Sequence, residues 1–128
     1  MVLAYLRKAQ EVLNLNHWDV RLSDLTAGPD EYAVVDFTTG QHDAAVRFGR
    51  AFWSATRQNQ RYVIIHELVH IHLRHLDTLT EVACEALDPA ATAMMLAAHN
   101  IGIEYATDSI ARVLVRLMPL PPVFGVLK

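Results

Sequence analysis

Four of the chain's seven histidines fall within ten positions: His66, His70, His72 and His75 in "HELVHIHLRH". Imidazoles at this density point to metal binding or to proton transfer near neutral pH. Helix geometry sorts them. Each residue turns about 100° around a helix axis, so His70 lies about 40° from His66, one turn on. Those two rings can close on one ion. His72 and His75 fall near 240° and 180° by the same count and face elsewhere. "HELVH" is the H-E-x-x-H pattern. A zinc ion takes neutral imidazole nitrogens at about 2.0–2.1 Å, and positions i and i+4 supply two of them. Glu67 between them is not a ligand. It is placed to take a proton from water and pass it to a leaving amine. The surrounding helix is strongly apolar, where two histidines and a glutamate are costly without partners.

A catalytic zinc wants a third protein ligand and one open position. A histidine six residues after the second one would serve, but that position is Leu76. Asp77 shares the ligand face at about 20°, yet lies roughly 10 Å beyond His70 along a regular helix. It is expected as a partner behind the ligands or as a helix-end residue. Glu104 and Asp108 stand at i and i+4, with Glu104 34 residues past His70. That spacing leaves room for a loop and an antiparallel helix. Glu104 is the expected third ligand, completing a His/His/Glu site, and Asp108 the carboxylate that steadies a ligating imidazole. Asp108, Glu81 and Glu85 are the alternatives as ligand. Tyr105 and His99 are candidate donors to a developing oxyanion, although His99 sits about 140° from Glu104.

Other parts of the chain must position these groups. Residues 2 to 14 carry an apolar helical stripe of Val2, Leu3, Leu6, Ala9, Val12 and Leu13. "HWDVRLSD" alternates as a short strand, and "AGPD" at 27 to 30 is a turn. "YAVVDFT" and "AAVRFGRAFW" read as two further strands joined through "TGQHD". From Thr56 the period becomes helical, with Thr56 or Asn59 as cap. Val63, Ile64, Ile65, Leu68, Val69, Ile71 and Leu73 surround that helix, which predicts burial. Asp88 as N-cap and Pro89 at the first position begin another helix. It runs to about Leu117, with a possible break at Gly102, and Pro119, Pro121 and Pro122 end it. The expectation is one α+β domain over 1–128. Its parts are an N-terminal helix within 1–16, a three-stranded sheet within 17–55, an active-site helix region over 56–86, a long C-terminal helix over 88–118 and a tail over 119–128. Trp18, Phe48, Phe52, Trp53, Met94 and Met95 are expected in packing roles, and Cys84 as a small core residue.

The chain has 128 residues, 52% of them hydrophobic, and a net charge of −3. That suits a packed globule and makes a nucleic-acid partner unexpected. The single cysteine cannot form an internal disulfide, which fits a reducing compartment. "MVLAYLRKAQEV" lacks the apolar region of a secretory signal, and no run approaches the ~20 apolar residues of a membrane span. A cytoplasmic protein is expected, in a host cytoplasm if a phage encodes it, with no membrane partner.

"HELVHIHL", followed by "EYATDSIA" from Glu104 to Ala111 and then "LMP", resembles the small gluzincin-type metallopeptidases. It is similar to the ImmA/IrrE group and to small phage-encoded H-E-x-x-H proteins. That group carries E-x-x-A-N-x-F-A downstream; here Thr107, Asp108, Ile110 and Ala111 stand where Ala, Asn, Phe and Ala are usual. "HWDVRL" and the strands before the helix also resemble the minimal zincin core, that of SprT-like proteins included. The resemblance covers roughly residues 17 to 117. It implies a minimal zincin-like fold, one zinc ion per chain, peptide-bond hydrolysis, and an edge strand that binds a protein or peptide substrate. Residues 44–53, directly before the active helix, are the expected edge. Two other readings stay open. One is a catalytically silent zincin fold acting as a metal-binding structural or interaction protein. The other is a SprT-like nucleic-acid-associated protease, which the net acidity and the lack of a zinc ribbon or basic tail oppose.

Overall fold

Val2, Tyr5, Leu6 and Ala9 recur at helical spacing and are buried along one face of α1 (Val2–Val12). A computed structural model describes residues 1–124. Gln10, also buried, donates through Nε2 to the carbonyls of Leu15 (2.9 Å) and Trp18 (2.6 Å). It thereby satisfies the turn from α1 into β1 (Asp19–Leu22). β2 (Ala33–Phe37) and β3 (Asp43–Phe48) follow.

The sheet order is β1-β3-β2, with β3 parallel to β1 and antiparallel to β2. This corrects the expectation that residues 44–53 form the edge strand. β3 is central and hydrogen-bonded on both sides, and cross-strand ion pairs match its two flanks. Arg21 meets Asp43 toward β1 at 2.8 Å, and Arg47 meets Asp36 toward β2 at 2.6 Å. The strand also stops at Phe48, because Arg50–Trp53 turn into a short helix, α2. The edges of the sheet are β1 and β2, and β2 is the one packed against α3.

α3 (Arg57–His72) starts at Thr56, whose hydroxyl accepts from the Asn59 amide at 3.2 Å. Val63, Ile64, Ile65, Leu68, Val69 and Ile71 are buried around it, as the near-complete apolar girdle predicts. The helix does not continue through 86. Leu73 leaves helical geometry (φ −93°, ψ 3°) and the chain resumes as α4 (Arg74–Cys84). Neither glycine nor proline breaks it. The end of α3 is anchored instead, with His72 Nε2 donating to the Leu13 carbonyl at 2.7 Å, while α4 packs against the next helix.

α5 (Pro89–Leu114) begins as expected, with Asp88 accepting from the Ala91 amide at 2.8 Å and Pro89 at its start. It passes through Gly102 without a break, as no neighbouring element presses on that position. Met94 and Met95, expected as core fillers, are exposed, whereas Cys84 is buried as expected. A single 3-10 turn (Val115–Leu117) leads to buried Met118 and a proline-rich segment. Tyr5 donates to the Pro119 carbonyl (2.6 Å), Arg57 to Pro121 (2.6 Å) and Arg61 to Met118 (3.1 Å), so this segment is tied to α1 and α3. The tail expected over 119–128 lies partly outside the described residues, from 125 on. With five helices and one three-stranded sheet among the described residues, the architecture is α+β. No described helix is long and apolar enough to cross a membrane.

Candidate metal centre

The i/i+4 spacing on α3 brings the His66 and His70 rings to 4.9 Å between centroids. α5 packs across α3 and presents Glu104 to both of them. Its Oε1 lies 3.0 Å from His70 Nε2 and its Oε2 lies 3.6 Å from His66 Nε2. One ligand atom from each of the three residues lies within 4.8 Å of the others. Two imidazole nitrogens and one carboxylate oxygen form a donor set suited to zinc. Burial first, and then the charge of His70, pushes the pKa of His66 down. A neutral imidazole keeps the lone pair a metal needs.

Glu67 lies in the same cleft, a space of ≈ 430 Å³ bounded by α3, Glu104 of α5 and the β2 residues Ala33, Val35 and Phe37. The residue is only 7% exposed, and its carboxylate makes no side-chain hydrogen bond among the described residues. Burial, followed by the nearby charges of Glu104 and Glu31, pushes its pKa up to about 8. Glu31, on the loop before β2, faces this cleft and was not anticipated from sequence. Its position depends on the turn at Gly28, whose amide donates to the Glu31 carboxylate at 3.0 Å.

Asp108 accepts hydrogen bonds from the Tyr62 hydroxyl and from Arg112 Nε (3.0 Å). Together they hold its carboxyl below the usual range, Tyr62 contributing most. The Tyr62 oxygen lies 3.3 Å from His66 Nδ1, so Asp108 approaches a candidate ligand through a phenol rather than directly. Burial, and then the Asp108 hydrogen bond, pushes the Tyr62 pKa up to about 12. Sequence reasoning passed over Tyr62, although its signal was available: it lies four residues before His66, on the same helix face.

Asp77, Glu81 and His99 line a second cleft together with His70 and Glu104. Asp77 stands in the first turn of its helix, one of its two expected places, and hydrogen-bonds to neither candidate histidine among the described residues. It belongs to α4, beyond the break at Leu73, where it accepts from His99 Nε2 at 2.7 Å and lies 3.7 Å from Arg74. His99 is further engaged by the Thr80 hydroxyl at 2.9 Å. Tyr105 is 74% exposed and lines an open groove together with His66, Ile101, Glu104 and Asp108. Glu81 lies 3.4 Å from Arg74, and Glu85 is exposed. His75 packs edge-on against His42, away from the His66/His70 pair, in keeping with the helix angles. Compared with known proteins, the chain matches no family model, no curated protein and no solved structure.

Proposed function

We propose that the protein is a zinc-dependent metallopeptidase. One observation carries this reading. Two Nε2 atoms and the Glu104 carboxylate converge within 4.8 Å, and an unpaired, buried Glu67 shares their cleft. A divalent ion held by His66, His70 and Glu104 would supply Lewis acidity, polarising a peptide carbonyl and bringing the pKa of water to about 7.

The chain's own groups supply the rest. Glu67 takes the proton from the attacking water and returns it to the leaving amine. Its raised pKa suits the second half of that cycle, and a cation at the three neighbouring ligands favours the carboxylate needed for the first half. The free edge of β2 borders the same cleft, so an extended peptide can pair with it by backbone hydrogen bonds and lie across His66 and Glu67. This moves the expected substrate strand from residues 44–53 to Ala33–Phe37.

The test is elemental analysis of the purified chain together with a peptide-library digest of wild type and Glu67→Gln. About one zinc per chain, with cleavage lost and zinc kept in Glu67→Gln, is the expected result. Zinc bound without turnover in wild type would assign the site a structural role instead.

A further inference from the structure

We propose that Tyr62 is a positioning residue that determines which nitrogen of His66 faces the metal, by linking that imidazole to the Asp108 carboxylate. The inference rests on the metal reading of His66, His70 and Glu104. It concerns a residue outside that ligand set.

The argument is a count of protons. A phenol has one proton to donate and lone pairs to accept with. The Tyr62 proton goes to Asp108, which is acceptor-only as a carboxylate. Arg112 holds that carboxylate from its other oxygen at 3.0 Å, and its guanidinium lies 5.6 Å from the centre of the Tyr62 ring. Toward His66 Nδ1, 3.3 Å away, the phenol oxygen can therefore only accept. The imidazole must carry its proton on Nδ1. Its lone pair is then on Nε2, the atom that faces Glu104. His66 donates to Tyr62 and Tyr62 to Asp108, whose other oxygen accepts from Arg112.

The geometry explains why a tyrosine is used. Asp108 is one turn beyond Glu104 on α5, and Tyr62 is one turn before His66 on α3. The phenol spans the gap between the two helices. Ligating histidines usually donate their second N–H to an acceptor, and loss of that partner typically costs 10–100-fold in metal affinity. Among the described residues, His70 has no corresponding side-chain hydrogen bond at Nδ1, so the effect falls on one ligand of the pair.

Zinc affinity of the full chain, measured by chelator competition for wild type, Tyr62→Phe and Asp108→Ala, tests this. It is paired with long-range proton–nitrogen spectra of the zinc-loaded histidines. Tyr62→Phe is expected to lose about 10–100-fold in zinc affinity with an unchanged metal-free melting temperature. In wild type the His66 proton is expected on Nδ1 and slow to exchange; in Tyr62→Phe it exchanges quickly. Equal affinity with an unaltered Nδ1 signal overturns the role of Tyr62 while leaving the metal site standing. Wild type that does not bind zinc overturns the metal reading and this inference with it. Should Tyr62→Phe fail to fold, Asp108→Ala, which removes the acceptor of the Tyr62 proton, decides: a weaker zinc complex supports the chain, and an unchanged one overturns it.

Discussion

Glu67→Gln should alter stability in a pH-dependent way, and the sign follows from burial. The folded protein raises the Glu67 pKa from the ordinary 4.5 to about 8. Between those values the folded chain binds more protons at this group than the unfolded chain, so stability falls as pH rises. The contribution is fully present below about 4.5 and lost as pH climbs through about 8. At about 1.36 kcal/mol per pKa unit, the metal-free wild type loses roughly 3–4 kcal/mol between pH 5 and pH 8 on account of this group. Glutamine is a near-isosteric neutral amide and does not titrate. The depressed pKa of His66 works in the opposite direction, stabilising as pH rises, but it is common to both proteins and drops out of the comparison. Urea unfolding in the presence of a chelator is the assay. Wild type and Glu67→Gln should be close at pH 5, and the variant should be the more stable at pH 8. Adding zinc should reduce the difference, because the cation favours the Glu67 carboxylate. Parallel stability curves from pH 5 to pH 8 would refute a buried, unpaired Glu67.

Three further outcomes are expected. Glu104→Gln should abolish tight zinc binding in calorimetry yet shift metal-free stability by less than about 0.5–1 kcal/mol, since the side chain is 61% exposed. Leu68→Ala, which removes a fully buried side chain beside Glu67, should cost about 2–5 kcal/mol in urea unfolding; a cost below that range would argue against the packing of α3. Peptide bound to Glu67→Gln should slow hydrogen exchange at alternate amides of Ala33–Phe37 and leave Asp43–Phe48 unchanged, and protection confined to β3 would count against the β2 edge.

What could be read from the sequence was local. His66, Glu67 and His70 follow from the 3.6-residue period alone, and the structure keeps them on one helix. Glu104 could be anticipated because a carboxylate on a returning helix is a short list. Strand order could not. Ala44, Val46 and Phe48 alternate in the same way whether a strand is central or at an edge, and only the parallel pairing with distant β1 decides it. The break at Leu73 was equally hidden, because no residue there disfavours a helix. The anchoring of His72 to Leu13, 59 residues away in sequence, marks the end instead. The angle of about 20° assigned to Asp77 holds only along an unbroken helix; the break puts it in the first turn of α4. Tyr62 was missed for another reason. An aromatic residue in an apolar helix reads as core, and its role depends on an acceptor 46 positions on.

The way α5 is held accounts for a candidate ligand that is both exposed and close to His66 and His70. Its buried residues are Ile103, Thr107 and Ala111, a seam of i, i+4 and i+8. Glu104 and Asp108 each follow a seam residue by one position, about 100° around, and so stand on the rim where α5 meets α3. Upstream the helix exposes Met94 and Ile101 and is held by α4 through Thr92 and His99. Beyond it, Met118, Pro119 and Pro121 are tied to Arg61, Tyr5 and Arg57, which fixes the C-terminal end of the helix against α1 and α3. Glu104 thus follows the buried Ile103, opposite a helix with eight of its sixteen residues buried. Apolar packing and these three hydrogen bonds hold the elements that carry the three candidate ligand atoms, which lie within 4.8 Å of one another. Glu104 is 61% exposed and takes no part in that packing, so removing its charge should weaken metal binding far more than the protein.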